Sequence, residues 1–320
     1  MLTVQKFGGS SLAGAERMRR AAEISAEALR RGQQLVIVVS ACGDTTDELS
    51  EAAYEINPGP SGRERDCLLS TGEQQSAALM ALMLQSLGIP ARSFTGFQAG
   101  IFTHGDHGSG RIIFIVPERI RAALAKGITP VIAGFQGMDM QGDICTLGRG
   151  GSDTTAVALA QVLGADCCEI YTDVNGIYTA DPRLVSGAHL LDKVDYRDML
   201  ALSECGSQVL HSESVRIAMA SGLKLKLLSS FENSPGSELC FLSAGERPDI
   251  AGVTRDSEKS EVSAVGRAAS SVLLSELVPM LGSAGVPVLS GSTGSLRASV
   301  RVAPAQLLPA LELVHSYVIK

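Results

Sequence analysis

The chain has 320 residues, of which 45% are hydrophobic and 19% charged, with a formal net charge of -7 at pH 7. That length accommodates about two domains and the composition supports a large core, which excludes a disordered chain. There is no Trp, aromatic residues are only 4%, and the balance is acidic. Aromatic stacking platforms and a general nucleic-acid binder are thereby excluded, and an anionic ligand must be met by local basic groups.

Residues 2–7 open the chain as a β-type run rather than a signal peptide, and no apolar run approaches the roughly 18 residues of a membrane span. The run ends in Lys6-Phe7-Gly8-Gly9-Ser10-Ser11, ahead of a helical pattern over 15–31. A lysine at a strand end beside two glycines can meet phosphate oxygens, with backbone N–H groups helping. It is not a Walker A loop, whose lysine follows the last glycine. The same segment also reads as a plain tight βα turn.

Residues 35–40 form the next strand and lead through Ser40-Ala41-Cys42-Gly43-Asp44-Thr45-Thr46-Asp47-Glu48 into a helix over 45–54. Its hydroxyls sit where open α/β sheets bind ligands, or Asp44 or Thr45 serves as an N-cap. A long helix is expected over 68–87. It carries Ser70-Thr71-Gly72-Glu73, with the carboxylate in its first turn as a dipole partner or a counter-charge for an ammonium group. Strands over 92–95, 112–116 and 130–134 and a helix over 118–126 follow. His104 and His107 lie in the Gly-rich loop before the second of these strands without a third ligand at metal spacing, so no metal site is expected.

The densest signal is Thr146-Leu147-Gly148-Arg149-Gly150-Gly151-Ser152-Asp153-Thr154-Thr155, ahead of a helix over 154–163. Glycines and fresh helix N–H groups suit an anion, Arg149 can clamp a carboxylate or phosphate, and Asp153 implies a charged substrate or a metal ion sharing the pocket. Ser152 or Asp153 as a mere helix cap is the competing explanation. A strand over 168–172 runs into the loop from Tyr171 to Arg183, whose aromatic, Asp and Arg suit a nucleotide, with a plain surface turn as the rival reading. A helix over 207–221 and a strand over 225–228 complete the first part. Gly32, Gly88, Gly127, Gly164 and Gly222 stand where helices should stop. This alternation implies an α/β domain with a largely parallel sheet.

A polar, turn-rich stretch places a boundary near 245. Beyond it the pattern is strand (261–266), helix (271–284), strand (286–289), strand (295–302), helix (304–315) and strand (316–320), the ferredoxin-like order. Seven scattered cysteines without a Cys-x-x-Cys pair fit free thiols in a reducing, cytoplasmic compartment.

Taken in order, Lys6–Ser11, Ser40–Glu48, Ser70–Glu73, Thr146–Thr155 and Tyr171–Arg183 resemble the aspartokinases of the amino-acid kinase family, over about residues 1–240. The tail resembles an ACT domain. The resemblance implies an amino-acid kinase fold, with a largely parallel sheet between helices, over 1–244. A small α+β ferredoxin-like ACT regulatory and dimerisation domain would occupy 245–320. It also implies transfer of the γ-phosphoryl of ATP, with Mg2+, to the β-carboxylate of L-aspartate, with no membrane or nucleic-acid partner and a homodimer formed through the ACT-like part.

By the same resemblance, Lys6, Gly8, Gly9 and Ser10 would stabilise the transferring group, and Asp153 would orient the lysine or Mg2+ region. Arg149 would hold the α-carboxylate and Glu73 the ammonium, while Ser40, Thr45 and Ser152 would line the acceptor pocket. Thr172, Asp173, Tyr178 and Arg183 would contact ATP. Gln208 and Glu213 stand where the family usually carries lysine and arginine. A paralogue acting on another amino or carboxylic acid, or a weakly active regulatory subunit, therefore stays open.

Overall fold

The structure, a computed structural model, describes residues 1–319. It divides into two compact units, Met1–Asn175 with Leu223–Ser234, and Gly176–Gly222 with Pro235–Lys320. This division is not drawn at residue 245, because the segment between Gly176 and Gly222 groups with the tail.

The first unit contains, in chain order, β1 (Leu2–Phe7), α1 (Gly9–Leu12), α2 (Ala15–Arg30), β2 (Gln34–Val39), α3 (Thr45–Ile56), α4 (Gly62–Ser86) and β3 (Ala91–Phe94). It continues with β4 (Ile101–His104), β5 (Arg111–Ile115), α5 (Glu118–Ala125), β6 (Thr129–Ala133), β7 (Gln136–Met138), β8 (Ile144–Thr146), α6 (Gly151–Leu163) and β9 (Cys167–Thr172). After an excursion into the second unit, comprising β10 (Lys193–Asp195), α7 (Tyr196–Glu204) and α8 (Ser212–Ser221), the chain returns as β11 (Leu225–Ser229).

Six parallel strands of this unit run in the order β11-β9-β1-β2-β6-β3. The central strand β2 reads as an unbroken apolar run because helices cover both faces: every residue after Gln34 is buried. Phe7, Ile37, Val39, Met80, Leu84 and Val131 form the core on one face, with α2 and α4 packed against it. Since the strands are parallel, the loops after β1, β2 and β6 emerge at one edge of the sheet, where the site lies.

Residues 111–115 are a strand, as expected within one residue, but they do not follow the βα alternation. They pair antiparallel with β4, in a second sheet of order β5-β4-β7-β8 that also holds the β7–β8 hairpin. The strands β4, β7 and β8 are only three or four residues long, too short to show a period of two in the sequence. The five glycines expected to stop helices all have positive φ.

The second unit adds β12 (Ser237–Cys240), parallel to β10, and β13 (Gly252–Asp256), β14 (Glu261–Val265), α9 (Ser271–Ser283), β15 (Val288–Thr293), β16 (Arg297–Val302) and α10 (Leu307–Val318). Its four-stranded antiparallel sheet has the order β13-β14-β16-β15. Leu277, Leu281, Leu307, Leu311 and Val314 are buried in one cluster with Val262 and Val300 of the sheet, the ferredoxin-like layering of two helices on one sheet face.

Two expectations fail here. The helix expected over 207–221 begins only at Ser212, because Gly206 (φ 105) ends the preceding α7 and His211 is the N-cap of α8. The strand expected over 316–320 does not form, and Lys320 lies outside the described residues. Residues 316–318 instead complete α10, whose apolar positions Leu307, Leu311, Val314 and Val318 recur at three and four residues against the sheet. The fourth strand is supplied by β13, upstream of the first one expected.

Candidate active site

A cavity of about 290 Å³ opens at the carboxyl edge of the main sheet, entirely within the first unit. It is lined by the end of β1 and the residues just after it, the loop after β2 with the first turn of α3, the middle of α4, Phe135 between β6 and β7, and the segment from Gly148 to Asp153. The loops are tied to one another by backbone bonds: Gly8 donates to Tyr171, Ser40 to Phe7, Gly43 to Gly9 and Gly134 to Val39. Gly9 has to be glycine at this crossing, since a Cβ there would lie 2.7 Å from the Ala41 carbonyl oxygen.

Lys6 is the penultimate residue of β1, with its side chain on the same face as Val4, towards α6. Its Nζ meets Asp153 Oδ1 at 2.6 Å, both side chains being nearly buried. Asp153 lies in the first turn of α6, where the helix N-terminus favours a carboxylate. The N-cap is Gly150 in the left-handed region, so neither Ser152 nor Asp153 is spent on capping. Arg149 sits between two left-handed glycines, Gly148 (φ 73) and Gly150 (φ 71), and is exposed at the cavity rim. Its guanidinium has no hydrogen bond or ion pair among the described residues.

Glu73 is not in the first turn of its helix. The long helix begins at Gly62, with Ser61 as N-cap accepting from the Glu64 N–H, six residues before the expected start. The dipole reading of Glu73 is therefore overturned. Its side chain is 3% exposed. Oε1 accepts from the Ala41 N–H at 3.0 Å, and Oε2 has no hydrogen-bond partner among the described residues. Burial pushes the carboxyl up to about 7, against the lowering effect of the Ala41 N–H. A buried carboxylate with one oxygen unpaired is costly unless a cation joins it.

Lys6, Gly9, Ser40, Glu73, Arg149, Ser152 and Asp153 all line the cavity. Gly8 and Ser10 flank Gly9 but are not among the lining residues, and the Ser10 carbonyl accepts from Arg17. Thr45 is displaced by its neighbour: its hydroxyl donates to the Cys42 carbonyl at 2.7 Å, and Thr46 lines the cavity. Asp44 is the N-cap of α3, without a side-chain cap bond.

Phe135 also lines the cavity and was not foreseen. Its positive φ of 67 is unusual for a bulky residue and marks backbone held by its surroundings. Only its place between Gly134 and Gln136 at a strand end offered a sequence signal. Thr172 ends β9 in the first unit and Asp173 follows it, the Thr172 hydroxyl donating to Asp173 at 3.1 Å. Tyr178 and Arg183 belong to the second unit, where Tyr178 bridges Leu190 and the Arg183 N–H donates to Asp181.

His107 does have neighbours with ligand-type atoms: Asp66 and Cys145 come with it to within 4.8 Å of one another. Residues this far apart in sequence give no spacing signal. Both Asp66 oxygens already accept hydrogen bonds, from Gly108, Thr146 and His107.

Comparison with known proteins agrees with this geometry. The aspartokinase of Corynebacterium glutamicum is 48% identical over 273 residues, which is 83% of this chain and 64% of that protein. The aspartokinase of Thermus thermophilus is 44% identical over 265 residues, 83% of this chain and 65% of the relative. The chain thus spans just under two thirds of the length of these relatives. Among solved structures, aspartate kinase from Synechocystis superposes with a TM-score of 0.69 at 29% identity, covering 99% of this chain and 69% of that one. Escherichia coli aspartokinase III, in complex with aspartate and ADP, shares the fold with a TM-score of 0.74 at 23% identity, over 98% of this chain and 84% of that one. The model of the amino acid kinase family matches residues 1–229, which hold every residue lining the cavity. By that match, and by a sheet edge that gathers Lys6, Glu73, Arg149 and Asp153, the chain belongs to the amino acid kinase family.

Proposed function

We propose that the chain phosphorylates the β-carboxylate of L-aspartate with ATP, giving 4-phospho-L-aspartate. The observation that carries this reading is the charge inventory of one cavity: a buried Glu73 with an unpaired oxygen, an Arg149 without a partner, and a Lys6 balanced by Asp153. Glu73 and Arg149 together complement an ammonium and a carboxylate on one carbon. Lys6 is left for a second anion.

Arg149 holds the α-carboxylate through its planar fork, and Glu73 takes the ammonium. Ser40, Thr46 and Ser152 supply hydroxyls around the acceptor. The β-carboxylate then faces Lys6, where Gly8, Gly9 and Ser10 help neutralise the transferring phosphoryl group and Asp153 fixes the lysine. No protein nucleophile is required, because the acceptor carboxylate attacks directly. Catalysis rests on positioning and charge neutralisation. Mg2+ bound with ATP would neutralise its phosphates, and Thr172 and Asp173 at the end of β9 contact the nucleotide.

In this reading residues 1–244 form the catalytic domain and 245–320 an ACT-like domain that pairs with a second copy. Support for pairing comes from β15, an edge strand exposed from Leu289 to Thr293, with Leu289 at 65%. An open edge of this kind favours association. Light scattering after gel filtration is expected to give a dimer mass, and a monomer at all concentrations contradicts the pairing. No helix of the described residues is long and apolar enough to cross a membrane, which accords with a cytoplasmic enzyme. Trapping the acyl phosphate with hydroxylamine tests the activity. Hydroxamate from MgATP and L-aspartate is expected, and its absence across concentrations, with ADP released on another acid, reassigns the acceptor.

A further inference from the structure

Asp66 has no role in the chemistry above, yet it is a carboxylate with 0% exposure at the start of α4. Its Oδ2 accepts from the Thr146 N–H at 2.8 Å, the Gly108 N–H at 2.9 Å and His107 Nδ1 at 3.2 Å, and its Oδ1 accepts from the Thr146 hydroxyl at 2.8 Å. These donors come from two elements besides its own helix, the turn between β4 and β5 and the end of β8. The same junction is closed by backbone: the Gly110 N–H donates to the Thr146 carbonyl at 2.9 Å, and a Cβ on Gly148 would lie 3.0 Å from the Gly108 carbonyl oxygen.

Thr146 is three residues from Arg149. Beyond it, Leu147 donates to the Phe135 carbonyl, and Gly148 and Gly150 flank Arg149 in the left-handed region. A glycine pair of this kind gives the loop wide conformational freedom unless both ends are held. At the far end α6 holds it, starting at Gly151. At the near end the fixed point is Thr146, bonded through both its N–H and its hydroxyl to one buried carboxylate. A carboxylate accepting several charge-assisted bonds is stronger and more directional than neutral pairs.

We propose that Asp66 is a positioning residue for the acceptor: by locking Thr146 to α4 and to the β4–β5 turn, it fixes the loop that presents Arg149. This rests on the reading that Arg149 holds the acceptor's α-carboxylate. Thr146 to Arg149 is too short a link to absorb a shift at its anchor, and misplacement of a clamping group by about 1 Å is enough to cost orders of magnitude in rate.

The test is Asp66→Asn, which replaces one acceptor oxygen by a donor facing donors. The Michaelis constant for L-aspartate is expected to rise about tenfold or more, with that for ATP within about twofold. Amide exchange over residues 146–150 should quicken at least about tenfold, while β1, β2 and β9 keep their protection. In an Arg149→Ala background the substitution should cost no further acceptor affinity, because the group it positions is gone. Exchange reads the junction even if L-aspartate is not the acceptor, so failure of the functional reading and failure of this proposal are distinguishable. Wild-type exchange over 146–150 in a folded Asp66→Asn protein overturns the proposal, as does an additive loss in the Arg149→Ala background. If Asp66→Asn does not fold, Thr146→Val removes only the hydroxyl donor. It should show both effects at about two- to fivefold, and wild-type behaviour on both counts overturns the proposal equally.

Discussion

Two buried carboxylates lie seven residues apart on α4, about two turns and on the same side of the helix, and they are treated in opposite ways. Asp66 receives four hydrogen bonds from the turn and strand around it. Glu73 receives one from the Ala41 N–H, has an oxygen without a partner, and is pushed up to about 7 by burial. The first is satisfied by the protein itself, and the second is satisfied only by something that enters the cavity. A buried carboxylate completed by the fold belongs to the scaffold, whereas one left incomplete beside a cavity is, in the function proposed, a binding group held ready at a cost in stability.

The contrast is sharpest under paired substitution. Glu73→Gln should raise the Michaelis constant for L-aspartate about 100-fold or more, the loss expected when a buried ammonium loses its counter-charge. Thermal stability should hold or rise at neutral pH, and a marked loss would assign Glu73 to the scaffold. Asp66→Asn should instead destabilise the fold by about 2–4 kcal/mol in urea unfolding, because donors buried around it lose their acceptor. Unchanged stability would remove the distinction between the two groups.

A pH series separates them further. The folded value of Glu73 lies near 7 and the ordinary value is 4.5, so between these the folded protein holds a proton that the unfolded chain has released. Its contribution to stability is complete below 4.5 and is lost as the pH rises through about 7. Unfolding midpoints should decline across this window, less steeply in Glu73→Gln, and an identical slope in both proteins would contradict the assigned burial effect. The smallest expected effects concern the neighbouring threonines. Thr46→Val should raise the acceptor's Michaelis constant about threefold, whereas Thr45→Val should leave it unchanged and cost about 1 kcal/mol of stability through the lost bond to Cys42. The reverse pattern would restore Thr45 to the pocket.

The contrast also explains what the sequence could show. The parallel sheet was legible because β-type runs, the apolar β2 and β6 clearest among them, alternate with helical patterns stopped by glycines. Lys6, Arg149 and Asp153 stood out because charged groups beside glycines at strand ends have few structural uses. The special status of Glu73 was not legible. A helix expected from residue 68 made it a first-turn carboxylate, and the six extra residues of α4 from Gly62 carry no apolar periodicity to betray them. Asp66 was invisible for a related reason, since its partners are 41, 42 and 80 residues away. In the tail, a strand over 316–320 was expected from β-type residues, but residues 316–318 complete α10, and β13 came from a segment to which no element was assigned.

The account stands on Glu73 being an ammonium site, and calorimetric titration at pH 6 with L-aspartate and with succinate, its analogue without the amino group, tests this most directly. An ammonium favours the ionised carboxyl, so L-aspartate should bind with release of about one proton, seen as a dependence of the heat on buffer ionisation. Succinate should bind at least about 30-fold more weakly, with no proton released. Equal affinity for the two acids, or L-aspartate binding without proton release, would contradict the account.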